Sequence, residues 1–432
     1  MKYLKVIVSI LLVSVLLSGC SFRLASSVND LISPVAPFGD NAEVKTAMDN
    51  YAENGYSLKT PSSGKYKTSY CFYDIDNDNQ KEAFAFYEPK DNLGTIDLAI
   101  IKKMNGTWTV IKNIKGEGKD VYSIDFDDIN NDGKDEMLIC WDVISNSTNH
   151  ILTVYKCKFS NDKCKISKIG EPLTINNYSI ADISGDGVND LLLFIITSGN
   201  SSTAKAQLYT LEYDNFLLMG ETKLDAHITT YDKLQTEKTD GITRLYADAI
   251  GSDGESMTTE LIYWSDTYDT IISPFYSYST GLSEDTTRRL MLNCMDVNSD
   301  GIIDIPSNYN LKLPKYVKAV NWRIFKNTTL IHSAYSLYCT KDNYTILIDD
   351  EFIDKINVKY DSKTKQLTVL NKSTKNEVFS VLPVLKAVYE KESFAGYSII
   401  LEDSGFYYLG KAGNDTEYKI TVDRLKQNIK SC

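Results

Sequence analysis

Histidine is scarce in this chain, with three among 432 residues, and none lies in an HExxH pattern. A GxSxG sequence is also absent. These absences remove the commonest signatures of zinc peptidases and serine hydrolases. The eight cysteines include no CxxC pair, which argues against a structural zinc site. A carboxylate pair for glycan hydrolysis is not excluded, because 58 residues are Asp or Glu.

Positive charge and long apolar runs are also in short supply. The 46 Lys and Arg residues are outnumbered by the acidic ones, which gives a formal net charge of −12. A surface that binds nucleic acid needs the opposite sign, so we do not expect a nucleic-acid partner. Beyond the N-terminal segment, no uninterrupted apolar run reaches the roughly 18 residues that a membrane-spanning helix needs.

The first twenty residues have the features of an export signal. Lys2 and Lys5 precede the apolar run Val6–Leu17, and small residues follow it. The tetrapeptide that ends at Cys20 reads LSGC and resembles a bacterial lipobox. We therefore predict a lipoprotein signal peptide over residues 1–20 with Cys20 lipidated; ordinary secretion with a chance cysteine is the alternative. A diacylated Cys20 anchors a protein in the cell membrane, here on the extracellular face.

Four acidic loops share one layout, with oxygen-bearing side chains at positions 1, 3, 5 and 9. They read DIDNDNQKE, DINNDGKDE, DISGDGVND and DVNSDGIID. Position 6 is Gly in three loops and Asn79 in the first, and both residue types adopt the left-handed conformation. Side-chain oxygens that converge around a sharp turn suit a hard cation, so we predict calcium. The predicted ligands are Asp74, Asp76, Asp78, Glu82, Asp128, Asn130, Asp132, Glu136, Asp182, Ser184, Asp186, Asp190, Asp296, Asn298, Asp300 and Asp304.

These loops are not EF-hands. An EF-hand needs a bidentate Glu at position 12 and a helix after it. Position 12 is Ala85, Ile139, Leu193 or Ser307, and short apolar runs typical of buried strands follow position 9 in the first three loops. A turn without a ligand is the alternative for any single Asp/Asn-rich loop, but four loops in register favour calcium.

The loops recur with a fixed period. Asp74, Asp128 and Asp182 are spaced by 54 residues, and Asp296 follows after 114, about two further units. Each unit contains a loop, two strands, a tight turn and two more strands. The turns are predicted at Asn105-Gly106, Ser160–Asp162 and Asp214-Asn215. Four short strands per unit at a constant period predict the blades of a β-propeller.

One expected loop has lost most of its ligands. Around residues 236–244 the sequence reads TEKTDGITR and keeps only Asp240-Gly241 of the motif. We interpret this unit as a blade that retains its fold without an ion. Val320–Phe325 and Ser333–Tyr338 are expected to complete the last blade, closing with a strand at Lys67–Tyr73.

The fold class predicted is therefore mainly β, a propeller of about five four-stranded blades with a small C-terminal α/β domain. Residues 21–59 are assigned to a tether and a short helix, 60–340 to the propeller and 341–432 to the C-terminal domain. Helices are predicted in the last domain at Val384–Glu392 and Val422–Ile429. Cys157 and Cys164 flank a turn, so a disulfide between them is one possibility.

The loops, their period and the lipobox together resemble FG-GAP/VCBS-type repeat lipoproteins of Clostridium-like bacteria, whose blades are related to the integrin alpha-chain head. The resemblance covers about residues 60–310. It implies calcium at the four loops and a propeller of up to seven blades. The chain lacks a clear FG…GAP motif, and one blade lacks the ligands.

These features favour a calcium-binding, lipid-anchored surface protein that is not an enzyme and whose propeller binds another surface protein or a glycan. Two other functions remain open. A surface hydrolase acting on glycan or cell-wall polymer could use a carboxylate pair among the many acidic residues. Alternatively, the C-terminal domain is the functional module and the propeller is its dock.

Overall fold

The computed structural model describes residues 39–144, 148–160, 163–197 and 202–432. Over these residues the chain is mainly β, with 27 strands and three short α-helices, as predicted. None of the helices described is long and apolar enough to cross a membrane. The predicted signal peptide, Cys20 and most of the tether lie outside the described residues, as does most of the turn predicted at 160–162.

A short helix, α1, covers Asp40–Tyr51 and packs against the first sheet. Its buried side chains are Val44, Ala47 and Met48, which lie at a spacing of three and four residues. This spacing places them on one face of the helix. The helix predicted at this end of the chain is therefore confirmed.

The first two sheets are antiparallel and built from consecutive strands. In the first sheet, β1 and β2 both pair with one edge of β3, and β4 and β5 follow. The second sheet has the order β6-β7-β8-β9. The strands β1 to β9 are Tyr56–Lys59, Cys71–Tyr73, Glu82–Pro89, Asp97–Met104, Thr107–Lys115, Asp120–Asp127, Glu136–Asp142, His150–Ser160 and Lys163–Ile175.

The third and fourth sheets repeat this plan. Each has four antiparallel strands in chain order, β10 to β13 in the third sheet and β14 to β17 in the fourth. The strands are Asn177–Ala181, Asp190–Thr197, Thr203–Glu212, Asn215–Leu224, Ile228–Thr239, Ile242–Gly251, Met257–Ser265 and Thr270–Ile272. Successive four-stranded antiparallel sheets are thus the repeating unit of the chain.

The fifth and sixth sheets have five strands each. The fifth has the order β18-β19-β20-β21-β27, and the sixth has the order β22-β23-β24-β26-β25. The strands β18 to β27 are Ile305–Tyr309, Val317–Lys326, Thr329–Cys339, Tyr344–Ile348, Ile356–Tyr360, Leu367–Asn371, Glu377–Leu385, Ser398–Glu402, Phe406–Ala412 and Ile429–Ser431. The remaining helices are α2, Lys386–Tyr389, and α3, Val422–Asn428.

Each sheet packs against the next one along the chain. Phe86 of the first sheet contacts Trp141 of the second, with ring centroids 5.7 Å apart. Phe194 of the third sheet contacts Tyr231 of the fourth at 4.6 Å. Shared hydrophobic clusters also join the second sheet to the third, the fourth to the fifth and the fifth to the sixth. The cores therefore lie between neighbouring sheets.

The C-terminal part of the chain differs from the prediction in three places. The predicted domain boundary at residue 341 falls inside the fifth sheet, because β21 pairs with β20 on one side and β27 on the other. The helix predicted at Val384–Glu392 is mostly wrong, since β24 continues to Leu385 and α2 has only four residues. The strand expected to close the last blade instead pairs within the first sheet as β2. The helix predicted at Val422–Ile429 is confirmed as α3.

Candidate metal-binding loops

The first three acidic loops connect β2 to β3, β6 to β7 and β10 to β11, and the fourth leads from an isolated bridge at Met295 into β18. The residue before position 1 pairs with the residue at position 9 in every case. The four pairs are Tyr73 with Glu82, Asp127 with Glu136, Ala181 with Asp190 and Met295 with Asp304. The periodic spacing in the sequence thus corresponds to a repeated structural position.

The four loops also share one backbone shape. Position 6 has a positive φ in each loop, including 67° at Asn79 and 80° at Gly133, as its residue types predict. Position 4 is left-handed as well, which the sequence did not lead us to expect. Its residues are Asn77, Asn131, Gly185 and Ser299, with φ of 56°, 57°, 81° and 65°.

The carboxylates at positions 1 and 5 are turned inward by backbone donors. In the second loop, Asp128 accepts hydrogen bonds from the backbone N–H groups of Asp132, at 3.1 Å, and Gly133, at 2.8 Å. In the fourth loop, Asp296 makes the equivalent bond to the N–H of Gly301 at 3.0 Å. These bonds hold the position-1 carboxylate against the turn of its own loop.

The carboxylates at position 9 are buried. Glu82, Glu136, Asp190 and Asp304 are each at most 1 % exposed. Burial, with the nearby charge of Asp132, raises the pKa of Glu136 to about 8. Burial also raises the pKa of Asp304 to about 6, although the Ser333 hydroxyl opposes the shift.

One oxygen of three of these buried carboxylates has no hydrogen-bond partner among the described residues. The atoms are Oε2 of Glu136, Oδ1 of Asp190 and Oδ1 of Asp304. A buried polar atom without a partner costs free energy, and a buried carboxylate costs more. Since oxygen ligands of this kind are what calcium binds, these three carboxylates fit a cation in the second, third and fourth loops.

The side chains at position 3 lie within the same centre. The Nδ2 atom of Asn130 donates to Glu136 Oε1 at 2.7 Å, and that of Asn298 donates to Asp300 Oδ2 at 3.0 Å. The hydroxyl of Ser184 is buried without a partner among the described residues. In the first loop, one oxygen from each of Asp74, Asp76 and Asp78 lies within 4.8 Å of the others, and no other acidic loop of the described residues has three carboxylates grouped this closely.

Lysine side chains pair with carboxylates in three of the four loops, and Lys430 donates to the hydroxyl of Ser299 in the fourth. The Nζ atom of Lys102 lies within hydrogen-bond distance of three carboxylates of the first loop. Lys156 contacts Asp132 in the second loop at 2.6 Å, and Lys238 contacts Asp182 in the third at 3.1 Å. Within the described residues, the carboxylates of the fourth loop form no ion pair. Sequence reasoning missed these lysines, although Lys102 and Lys156 each lie 28 residues after their loop's first Asp.

Neighbouring loops touch one another through position 8. In the second loop this residue is Asp135, which accepts a hydrogen bond from the hydroxyl of Tyr73 beside the first loop. In the third loop, Asn189 donates to Asp127 beside the second loop at 2.7 Å. In the fourth loop, the N–H of Ile303 donates to Glu237 at 2.5 Å. The loops therefore lie along one common edge of the row of sheets.

The fourth sheet has a tight turn where the others have a loop. Six residues separate Glu237 from its partner Arg244, against eight between Asp127 and Glu136. Asp240 and Gly241 form the turn with φ of 54° and 77°, the pattern of a two-residue hairpin. The strands of this unit are retained, as predicted, and the guanidinium of Arg244 replaces the buried carboxylate of position 9.

The fourth sheet also contains a buried ion pair that sequence reasoning missed. The side chains of Arg288 and Asp248 are at most 2 % exposed, and their closest N–O distance is 3.0 Å. Arg288 also donates to the Thr259 hydroxyl at 2.8 Å and to the carbonyl oxygen of Leu292 at 2.7 Å. Asp248 accepts a bond from the N–H of Cys294 at 2.7 Å. These bonds tie the long segment after β17 to the fourth sheet.

Glu260 is a second buried charge in this sheet. Its carboxylate accepts hydrogen bonds from the N–H of Asp225 at 2.7 Å and from the hydroxyls of Ser273, at 2.9 Å, and Ser283, at 3.0 Å. Burial raises its pKa to about 7, and the hydrogen bonds only partly oppose this. The pattern of the sequence gives no sign of these contacts, because the partners come from three separate segments.

The cysteines of the described part are free thiols. Cys157 and Cys164 lie on β8 and β9, where Phe159 pairs with Cys164 and Cys157 with Ile166. A hydrogen bond to the Cys164 thiol and burial both raise the pKa of the Cys157 thiol. The two thiols therefore face each other across the hairpin, as the sequence suggested, without a disulfide.

Comparison with known proteins gives no family. No family model matches the chain, and no curated protein matches it. Among solved structures, it is similar to Bacillus licheniformis rhamnogalacturonan lyase PL11, with 11% identity, a TM-score of 0.30, and coverage of 86% of this chain and 77% of that one. It is also similar to the Dos1 propeller, with 9% identity, a TM-score of 0.31, and coverage of 81% and 84%. Scores this low carry no argument about the arrangement of the sheets or the activity.

Proposed function

We propose that this chain is a calcium-binding protein of the cell surface, anchored through a lipidated Cys20. Its row of sheets forms a non-catalytic β-propeller that presents a binding face to another surface protein or a glycan. Calcium binds in the loops that begin at Asp128, Asp182 and Asp296. There the metal holds each loop, and through it the first two strands of the sheet, in place.

The observation that carries the calcium assignment is the set of unpaired buried oxygens at position 9. Glu136, Asp190 and Asp304 each have one such oxygen, and in each of their loops a backbone N–H donates to the position-1 carboxylate. A divalent cation supplies the missing partner and offsets the mutual repulsion of the carboxylates. An unliganded turn has no need of a buried carboxylate at this position.

The contacts between loops support a structural role for the metal. Position 8 of the second and third loops reaches the residue before the preceding loop, and position 8 of the fourth loop reaches Glu237 beside the turn of the fourth sheet. A metal that fixes one loop therefore also fixes the edge of the neighbouring sheet. Extracellular calcium sites have dissociation constants of roughly 10⁻⁴ to 10⁻³ M, and tenfold excess of calcium contributes about 1.4 kcal/mol per site.

The propeller is supported by the order of the sheets. Four successive sheets are built from consecutive antiparallel strands, and each packs against the next. Propeller blades have this construction. The acidic loops lie together at one edge, which leaves the opposite edge for a partner.

A single substitution in the fourth loop tests the calcium assignment. We expect Asp300→Asn to remove one bound calcium ion, counted by native mass spectrometry, because Asp300 provides the position-5 oxygen. We also expect the calcium-dependent part of the unfolding free energy to fall by about 1.4 kcal/mol at tenfold excess of the metal. Asp300→Asn removes no buried apolar contact, so the calcium-free protein should still fold.

Asp253→Asn is the matched control. Asp253 lies in the sequence GSDG, where it caps a turn by accepting bonds from Glu255, at 3.0 Å, and Ser256, at 2.8 Å. This substitution should leave the number of bound ions unchanged. If wild-type protein binds no calcium, or if Asp300→Asn keeps the full number of ions, the calcium assignment is wrong.

A further inference from the structure

One strand position faces the buried carboxylate of every loop. It is the residue one step beyond the pairs that join the strand after the loop to the next strand, for example one step beyond Ala83 and Ile101. In the four sheets that contain loops, this position is occupied by Lys102, Lys156, Thr210 and Ile324. A cationic residue thus faces two loops, and an uncharged residue faces the other two.

Lys102 enters the centre of the first loop. Its Nζ atom lies 2.6 Å from Asp76 Oδ2, 2.8 Å from Asp78 Oδ2 and 2.7 Å from Glu82 Oε1. An ammonium group has three N–H donors, so one donor is available for each carboxylate. The lysine side chain is 13% exposed, and the ring of Phe159 lies 5.3 Å from Nζ. The cation is therefore enclosed by protein on several sides.

The lysine in the second loop is placed differently. Lys156 contacts one loop carboxylate, Asp132 at 2.6 Å, and is 3.5 Å from Asp214 of the third sheet. Position 3 of this loop is Asn130, and Glu136 keeps an unpaired oxygen. Lys156 thus pairs with one carboxylate of its loop, whereas Lys102 pairs with three.

The first loop also has an additional acid at position 3, Asp76, where the other loops have Asn or Ser. One oxygen from each of Asp74, Asp76 and Asp78 lies within 4.8 Å of the others. Both oxygens of Glu82 have partners, namely Lys102 and the N–H of Ile75. Glu82 therefore lacks the unpaired oxygen of its three counterparts, and the unpaired buried carboxylate oxygen of the first loop is Oδ1 of Asp76.

We infer that Lys102 takes the place of calcium in the first loop, so that this loop is held by a cation of the chain itself. The inference rests on the proposed function, which assigns calcium to the other three loops. Calcium cannot occupy the same oxygens while Lys102 is present, because two cations would then share one centre. The first sheet, which packs against α1, consequently keeps its loop conformation when calcium is absent.

Removing the lysine should open the first loop to calcium. We expect the full chain carrying Lys102→Met to bind one more calcium ion than wild type in native mass spectrometry, with calcium as the only added metal. Adding Asp78→Asn to this variant should remove the additional ion. Lys103→Met is the matched control, because Lys103 is the next residue and pairs with Asp40 and Glu43 outside the loop; its ion number should equal that of wild type.

Thermal unfolding keeps the test decisive if Lys102→Met weakens the fold. Without calcium, four carboxylates of the first loop would lack a cation, so we expect a lower midpoint than wild type and recovery of that loss when calcium is added. An unchanged ion number in Lys102→Met, or a midpoint that calcium fails to restore, would overturn the inference. A failure of the proposed function would give a different result. Wild type would then bind no calcium, or Asp300→Asn would bind as many calcium ions as wild type.

Discussion

Arg288→Ala is expected to destabilise the protein by about 3 to 5 kcal/mol, because it leaves the carboxylate of Asp248 buried without its counter-ion. Asp248 is fully buried, and Arg288 supplies it with a 3.0 Å contact. The substitution also removes donors from the carbonyl oxygens of Thr286 and Leu292. Urea unfolding followed by tryptophan fluorescence should show the loss as a lower midpoint.

The neighbouring residue provides a matched control. The Arg289 side chain is 73% exposed and is 3.2 Å from Glu255, whose side chain is 75% exposed. Exposed ion pairs contribute roughly 0 to 1 kcal/mol, so Arg289→Ala should change the midpoint little. Replacing both partners, in Arg288→Met with Asp248→Leu, should recover part of the stability, since no charge then remains buried. Equal effects of Arg288→Ala and Arg289→Ala would contradict this account of the buried pair.

Glu260→Gln is expected to stabilise the protein by about 3 kcal/mol at pH 8 and by almost nothing at pH 4. The pKa of Glu260 is raised from 4.5 to about 7 by burial, with a further contribution from the charge of Asp225. Such a shift corresponds to about 3 kcal/mol between the two protonation states. The hydroxyls of Ser273 and Ser283 can donate or accept, so the amide of Gln keeps partners.

The sign follows from where the proton is bound. Between pH 4.5 and pH 7, folded Glu260 holds a proton that the unfolded chain releases. The unfolding free energy of wild type therefore falls as the pH rises through this window, and the loss is complete above it. Gln does not titrate, so the difference between the two proteins isolates this group from other shifted carboxyls, such as Glu136 and Asp304.

Unfolding midpoints of both proteins at several pH values measure this difference. Tyr231 and Asp225 are the titratable groups that interact with Glu260, and both remain in the variant. Glu255→Gln is the control, because its exposed side chain should give no advantage that depends on pH. If the midpoints of wild type and Glu260→Gln changed with pH in parallel, Glu260 would be ionised at the same pH in the folded and the unfolded chain. The prediction would then be wrong.

Local signals predicted much of this fold. The 54-residue period predicted the strand order of the repeating units, and Asn105-Gly106 forms a tight hairpin turn with φ of 50° and 83°. These features depend on residues close together in the sequence, such as turn formers and alternating apolar side chains. The turn predicted at Asp214-Asn215 lies one residue earlier, at Tyr213-Asp214. The sequence did not indicate this position, because a Tyr in a left-handed conformation is not a usual turn signal.

The features that sequence reasoning missed depend on contacts between distant segments. β27, at the end of the chain, adds to a sheet that begins at Ile305, and no local pattern indicates that pairing. Lys102 was missed for a related reason, because it lies on β4, outside the loop motif itself. The spacing of 28 residues from Asp74 to Lys102, repeated from Asp128 to Lys156, was nevertheless present in the sequence. A search for charged residues at a fixed offset from each loop would have found both.

The position of β27 has a consequence for the order in which the chain matures. The first four sheets contain only strands that follow one another, so each can assemble as soon as its own segment has emerged during synthesis. In the fifth sheet, Tyr344 pairs with Ser431, 87 residues later in the chain. This sheet therefore remains incomplete until β27 has emerged, and a truncated product lacking β27 would display the bare edge of β21. Such an edge attracts other chains, so nascent or clipped molecules should self-associate where full-length ones do not.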